Sequence, residues 1–166
     1  RGNGWVLAGL ARVLQNLDPS DPLRSRFEDQ FQKMASRIAK LQTPDGTWHA
    51  SLLDPDSYPA PETSGTGFFT YALAWGMREG LLPKQAYRPV VDLAFAALFH
   101  DVGKCFVPTE ILQKPDKLEQ AEMRYILRHP IDSGRMLLPS FGEQIAEIAR
   151  NHHERLDGSG YPRGLR

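Results

Sequence analysis

An all-α protein is what this sequence predicts, and three features predict it. Apolar residues return every third or fourth position over long stretches, and no segment sustains the alternation of a half-buried strand. Breaks bearing Pro and Gly divide the chain into helix-sized lengths. At 166 residues, 41% hydrophobic and 24% charged, there is material for one ordinary domain or two small ones around a buried core.

The elements follow in order. Asn3 is placed to cap a first helix running to about Leu17, where Asp18-Pro19 ends it. Residues 5–14 are apolar on most sides, which predicts burial on most sides. Asp21-Pro22 predicts a restart, with a capping carboxylate followed by proline at the first helical position. Leu23, Phe27, Phe31, Met34, Ile38 and Leu41 then mark the clearest amphipathic helix. Residues 43–66 hold four prolines and predict a long loop. Within it Asp45 and Glu62 read as turn and cap residues, and His49 has no special role. A buried helix over 68–78 is closed by Gly80, and Pro83 and Pro89 punctuate the start of another over 90–99. After a loop with Pro108 and a short turn at 110–112, separate helices are expected near 119–128, 131–138 and 142–152, then a turn-rich tail.

Charge limits the partners. Lys+Arg and Asp+Glu stand at 20 each, and residues 1–93 carry ten of each sign, so no net field favours a nucleic acid polymer or an anionic membrane. Cys105 is the single cysteine, which excludes an internal disulfide and the need for an oxidising compartment. The uncharged stretch 63–77 is too short and too rich in Gly and Thr to span a bilayer. Arg1-Gly-Asn-Gly-Trp has no secretory pattern, so a cytoplasmic location is the expectation.

Four of the five histidines fall between positions 100 and 153. His100 follows Leu93, Ala96 and Ala97 at helical spacing, and His152 follows Ile145, Ile148 and Ala149 in the same way, so both imidazoles are expected to point inward. A buried imidazole needs a partner for each ring nitrogen, and a metal is one such partner. Asp101 and His153 come directly after them. Adjacent residues at a helix end diverge by about 100°, so each pair serves one ion if the end frays, or two neighbouring ions. Mixed imidazole and carboxylate donors suit Fe, Mn or Zn. Lys104, one turn beyond His100, is placed to neutralise a phosphate. His129, ahead of Pro130, reads by itself as a helix-end residue favoured by the dipole.

The order Ala96-Ala-Leu-Phe-His-Asp-Val-Gly-Lys, Val107-Pro-Thr-Glu-Ile-Leu-Gln-Lys-Pro, Arg128-His-Pro and Asn151-His-His-Glu-Arg-Leu-Asp-Gly-Ser-Gly-Tyr-Pro-Arg-Gly-Leu resembles the HD-GYP family, metal-dependent phosphodiesterases that cleave cyclic di-GMP. The resemblance implies that His100, Asp101, His129, His152 and His153 are metal ligands and that Asp101 and Lys104 are catalytic. It also implies that Tyr161 of the Gly-Tyr-Pro loop meets substrate. The family also takes a histidine from helices before the His-Asp pair and an aspartate from a helix after the loop. Residues 66–80 hold no histidine, so a coordination sphere short of donors and weak metal binding are expected.

Residues 1–93 resemble something else. Arg1-Gly-Asn-Gly-Trp, Gln42-Thr-Pro-Asp-Gly-Thr-Trp, Ser51-Leu-Leu-Asp-Pro and Pro61-Glu-Thr-Ser-Gly-Thr-Gly-Phe-Phe are similar to the unsaturated rhamnogalacturonyl hydrolases of glycoside hydrolase family 105, which fold as a ring of six helical hairpins. That resemblance implies sugar contacts for Arg1 (a guanidinium for the carboxylate) and Trp5 (an indole for the ring face). The family's catalytic aspartate comes from an earlier stretch, so sugar turnover by these residues alone is not expected.

The sequence therefore predicts a hybrid: a partial α/α-barrel-like set of helical hairpins over 1–93, joined within 90–98 to an HD-type helical bundle over 94–166. The leading function is hydrolysis of a cyclic dinucleotide at an incomplete metal site. The alternatives are a carbohydrate-active fragment that takes an unsaturated uronide, and a helical hybrid without activity. Apolar faces around Trp5 and over 68–75 further predict self-association.

Overall fold

The three-to-four spacing is realised as helices throughout. A computed structural model describes residues 2–165, and among them are seven α-helices, one 3₁₀ helix and no strand, only an isolated bridge between His49 and Pro61. The helices are α1 (Gly2–Asn16), α2 (Arg24–Ala39), α3 (Thr63–Arg78), α4 (Lys84–Phe99), α5 (Thr109–Leu112), α6 (Gln120–Phe141) and α7 (Glu143–Asn151), with the 3₁₀ helix over Val102–Phe106. The chain divides into two compact units, one ending at Leu98 and the other beginning at Phe99. Among the described residues no helix is long and apolar enough to cross a membrane. Arg1, expected to contact sugar, lies outside the described residues.

In the first unit, α1 packs on α2 and α3. It buries Leu7, Ala8, Ala11 and Leu14 but leaves Trp5, Val6 and Val13 exposed, so the burial on most sides expected from its composition is not found. Two packing neighbours cover one stripe of a helix, not its whole circumference. Asn3 lies inside the first turn of α1 and is not its cap. Asp21 caps a turn ahead of α2, its Oδ1 accepting the Leu23 N–H at 2.8 Å. The helix then starts two residues later than Pro22 suggests, with no side chain capping it.

Phe31, Ala35 and Ile38 of α2 meet Phe69, Leu73 and Trp75 of α3 in one apolar core, where each large side chain contributes roughly 1.5–3 kcal/mol. Trp48, from the loop, is 1% exposed within that core. Its Nε1–H donates to the Ile38 carbonyl at 2.9 Å, and its backbone N–H donates to Thr66 Oγ1 at 3.1 Å. The loop is thus fastened from within. Asp45 accepts from the Thr47 N–H and the Thr43 hydroxyl, and Glu62 caps α3 by accepting from the Gly65 N–H. That cap starts α3 at Thr63, and α4 likewise starts at Lys84 with Pro89 inside it, both earlier than the sequence suggested.

In the second unit, α6 is one helix of 22 residues where two were expected, continuing through Pro130 and Pro139. An internal proline deletes one backbone bond and costs on the order of 3 kcal/mol. At Pro130 the ring is fully buried, and a side chain takes over the freed carbonyl, as described below. Gly142, at φ 80°, turns the chain directly from α6 into α7, and Ile145, Ala146 and Ala149 of α7 are buried.

Candidate metal centre

The end of α4 and the 3₁₀ helix present Asp101. Phe99 closes α4, and Asp101, at φ −95° and ψ 4°, caps the 3₁₀ helix, which lies against α6. Contact is close at Gly103, whose N–H donates to Ser133 Oγ at 2.8 Å. A Cβ there would stand 2.5 Å from the Ser133 nitrogen and closer still to the His129 carbonyl oxygen, backbone atoms that cannot swing aside. Gly103→Ala is therefore expected to push the 3₁₀ helix off α6, costing about 1–3 kcal/mol in urea unfolding and loosening Asp101 from His129. A stability within about 0.5 kcal/mol of the parent would contradict this packing.

His129 comes from the middle of α6 and is 1% exposed, and His152 caps the C-terminus of α7. His129 Nδ1 stands 2.5 Å from the Ile126 carbonyl oxygen, and His152 Nδ1 2.6 Å from that of Ala149. A carbonyl only accepts, so both Nδ1 atoms carry a proton, and in the neutral form of each ring Nε2 presents a bare lone pair. Those two Nε2 atoms face each other at 3.2 Å. Asp101 Oδ1 lies 3.0 Å from His129 Nε2 and 3.5 Å from His152 Nε2. It is buried and has no hydrogen-bond partner.

With both rings in that form, three acceptors converge on one point with no donor among them. A cation answers that arrangement. Donors each about 2.1 Å from one ion and roughly 90–109° apart stand about 3.0–3.4 Å from one another, which two of the three separations meet and the third, at 3.5 Å, closely approaches. His153 completes a group whose ligand atoms, with those of Asp101, His129 and His152, all lie within 4.8 Å of one another. The residues fit a metal ion.

The remaining predicted residues surround this group. His100 Nε2 lies 3.5 Å from the other carboxylate oxygen, Asp101 Oδ2, and its ring packs edge-on against His152 with centroids 4.8 Å apart. Lys104 Nζ donates to Oδ2 at 2.6 Å. The His153 ring stacks on Tyr161 at 4.5 Å and 21°. The loop carrying Tyr161 is held from below. Glu154 accepts the backbone N–H groups of Arg163 and Leu165, and the Arg163 guanidinium donates to Glu147 and Asn151.

Burial pushes the Asp101 carboxyl up, but the Lys104 hydrogen bond and the charges of His100, Lys104 and His129 outweigh it and hold the group below the ordinary carboxylate value. Burial lowers His152, reinforced by His153 and His100 against the Ala149 carbonyl and Asp101. Burial also lowers His153, aided by His129. Tyr161 is raised by burial and by the Asp101 charge, so its phenol keeps its proton.

Both lowered histidines bind protons less readily folded than unfolded. Below their ordinary value of 6.5 the unfolded chain takes up the extra protons, and stability falls as the pH drops through that value and then through the folded-state values. The metal-free protein should accordingly lose thermal stability from about pH 6.5 downward. A melting temperature flat across that range would contradict the burial.

The structure corrects the weight given to individual residues. His129, which alone read as a helix-end residue, is the most buried of the predicted donors, whereas His100, expected inward, is half-exposed and sits outside the four-donor group. Lys104 is spent on Asp101 and so presents its charge from a fixed position. Sequence reasoning missed Ser133, Glu147, Glu154 and Pro130. Glu154 and Pro130 stand inside quoted motif strings, Asn151-His-His-Glu and Arg128-His-Pro, but neither was given a role. Trp5 belongs to the other unit, where its ring packs on Phe68 at 4.7 Å beside a concavity of about 540 Å³ lined by Arg12, Ser64 and Tyr71.

Comparison with known proteins separates the two parts. Residues 1–107 match Glycosyl Hydrolase Family 88, and residues 75–166 match the HD domain family. The chain belongs to both. The two matches share residues 75–107, a stretch containing α4. An unsaturated 3S-rhamnoglycuronyl hydrolase of Formosa agariphila is 50% identical over 98 residues, which are 59% of this chain and 26% of that protein. A 3'3'-cGAMP-specific phosphodiesterase of Vibrio cholerae is 54% identical over 74 residues, 44% of this chain and 17% of that protein. A solved polysaccharide lyase superposes with a TM-score of 0.56 at 49% identity, over 57% of this chain and 27% of its own. The chain therefore spans about a quarter or less of these relatives. Every donor of the metal group lies in the HD-domain part, and Trp5 in the Family 88 part.

Proposed function

We propose that the HD-domain part, residues 94–166, is a metal-dependent phosphodiesterase centre that hydrolyses a cyclic dinucleotide, cyclic di-GMP by the HD-GYP motif order. The single observation carrying this reading is the convergence of Asp101 Oδ1 and the Nε2 atoms of His129 and His152 within 3.0–3.5 Å of one another. Asp101, His129, His152 and His153 would hold the ion, with His100 at the second carboxylate oxygen, and the mixed donors favour Fe, Mn or Zn. Such an ion, when bound, supplies Lewis acidity that lowers the pKa of water and draws charge from a phosphoryl group.

The chain's own side chains supply the rest. His152 and His153 stay neutral at neutral pH and so keep lone pairs for binding. Lys104 Nζ, fixed on Asp101 Oδ2, would offer its charge to a phosphate bound beside that carboxylate. Tyr161 stays protonated and can donate a hydrogen bond, while its ring covers one side of His153. Hydrolysis adds water across the P–O bond: the water oxygen bonds to phosphorus, and the leaving ribose oxygen takes a proton.

The test is to load the protein with Fe, Mn or Zn, measure bound metal, and compare hydrolysis of cyclic di-GMP with that of 3'3'-cGAMP, the substrate in the Vibrio cholerae relative's name. About one equivalent or more of metal is expected, with both metal and hydrolysis lost in His152→Ala. A protein that stays metal-free and inert would overturn the reading and leave a helical hybrid without activity.

A second reading belongs to residues 1–93. Trp5 is 61% exposed, packed at a tilt against Phe68 and flanked by Arg12, an aromatic surface beside a cation that suits an acidic sugar. Binding of an unsaturated uronide, abolished by Trp5→Ala, would support it. Those exposed rings also carry the expectation of self-association, which a single concentration-independent monomer peak in sizing would refute.

A further inference from the structure

In an α-helix the carbonyl of residue i−3 belongs to the backbone N–H of residue i+1. The Ile126 carbonyl would therefore be claimed by residue 130, which is proline and has no N–H to give. His129 Nδ1 stands 2.5 Å from that carbonyl. The same arrangement recurs at His152. The Ala149 carbonyl would be claimed by residue 153, but α7 ends at Asn151, where terminal carbonyls lose their intrahelical partners, and His152 Nδ1 stands 2.6 Å from it. Two unrelated interruptions, an internal proline and a helix terminus, thus each free the carbonyl three residues before a histidine.

We propose that Pro130 is a positioning residue. By offering no N–H to the Ile126 carbonyl it leaves that oxygen to His129, fixes the ring as the Nδ1–H tautomer and aims the bare Nε2 at Asp101 Oδ1 and His152. This accounts for a proline in the middle of α6, at a place where the fold bears the lost backbone bond and the ring lies fully buried. An alanine would restore the competing N–H. The Ile126 carbonyl would then be shared, the His129 ring would be released to the other tautomer, and Nε2–H would point a proton where a lone pair is needed.

The consequence for metal rests on the phosphodiesterase reading above, but the tautomer can be read without any metal. Nitrogen-15 imidazole spectra of the metal-free parent at about pH 8 are expected to show His129 and His152 as Nδ1–H tautomers. A parent His129 carrying its proton on Nε2 would overturn the proposal, whatever any variant does. Pro130→Ala is expected to mix the His129 tautomers and leave His152 unchanged. It should also weaken binding of Zn or Mn by about 10–100-fold without lowering the melting temperature of the metal-free protein. Pro139→Ala restores an N–H elsewhere in α6 and is expected to leave tautomers and affinity unchanged. Retention of the pure Nδ1–H form and of full affinity in Pro130→Ala, or an equal loss in Pro139→Ala, would sink it. Should the parent bind no metal while His129 is the Nδ1–H form, the phosphodiesterase reading fails and the positioning role stands.

Discussion

Asp101→Ala is expected to weaken metal binding by at least about 100-fold while costing the metal-free protein no more than about 1 kcal/mol. The contrast between those two effects is the informative part. Oδ1 is buried and has no hydrogen-bond partner, so it contributes little to the metal-free fold and is available to a cation. The ion pair lost with Lys104 is half-exposed on both sides and contributes little, about 0–1 kcal/mol. Calorimetric titration with Zn or Mn alongside thermal melting reads both quantities. Affinity within threefold of the parent would show that the carboxylate is a structural partner of the histidines and nothing more.

The second large effect lies in the other unit. Trp48→Ala is expected to cost about 3–5 kcal/mol, because an indole that is 1% exposed fills the core between α2 and α3 and surrounding helices collapse only partly into such a void. Trp48→Phe keeps most of the bulk and loses the Nε1–H donation to Ile38, so about 1–2 kcal/mol is expected. Urea unfolding of both variants separates packing from the hydrogen bond. A Trp48→Ala protein within about 1 kcal/mol of the parent would mean that the loop is not part of the core.

Much of the fold was legible because it is local. The spacing of Phe27, Phe31, Met34 and Ile38 and the breaks at Asp18-Pro19 and Gly80 depend on residues within a turn or two of each other, and the helices stand close to where those signals put them. Element starts were less legible. Asp21 and Glu62 are both carboxylates that accept a backbone N–H, yet the first closes a turn ahead of α2 and the second caps α3 directly. Proline misled at α6, because the rule that proline breaks a helix counts the lost N–H and not the histidine side chain that takes over the carbonyl.

The candidate site divides along the same line. The sequence by itself determined that His100, Asp101 and His152 sit at helix ends, that the donors stand in ordered motifs, and that two family patterns meet in one chain. Spacing along the chain fixes which face of a helix a residue occupies. Only the tertiary structure decided that His129 is buried while His100 is half-exposed, that Asp101 offers one oxygen to His129 and His152 and the other to Lys104, and that Trp48 leaves its loop for the core. Those outcomes depend on contacts between residues tens of positions apart, such as Gly103 against Ser133 or Asp101 against His129. Helical periodicity carries no information about distances of that kind, because they are set by how separate helices pack.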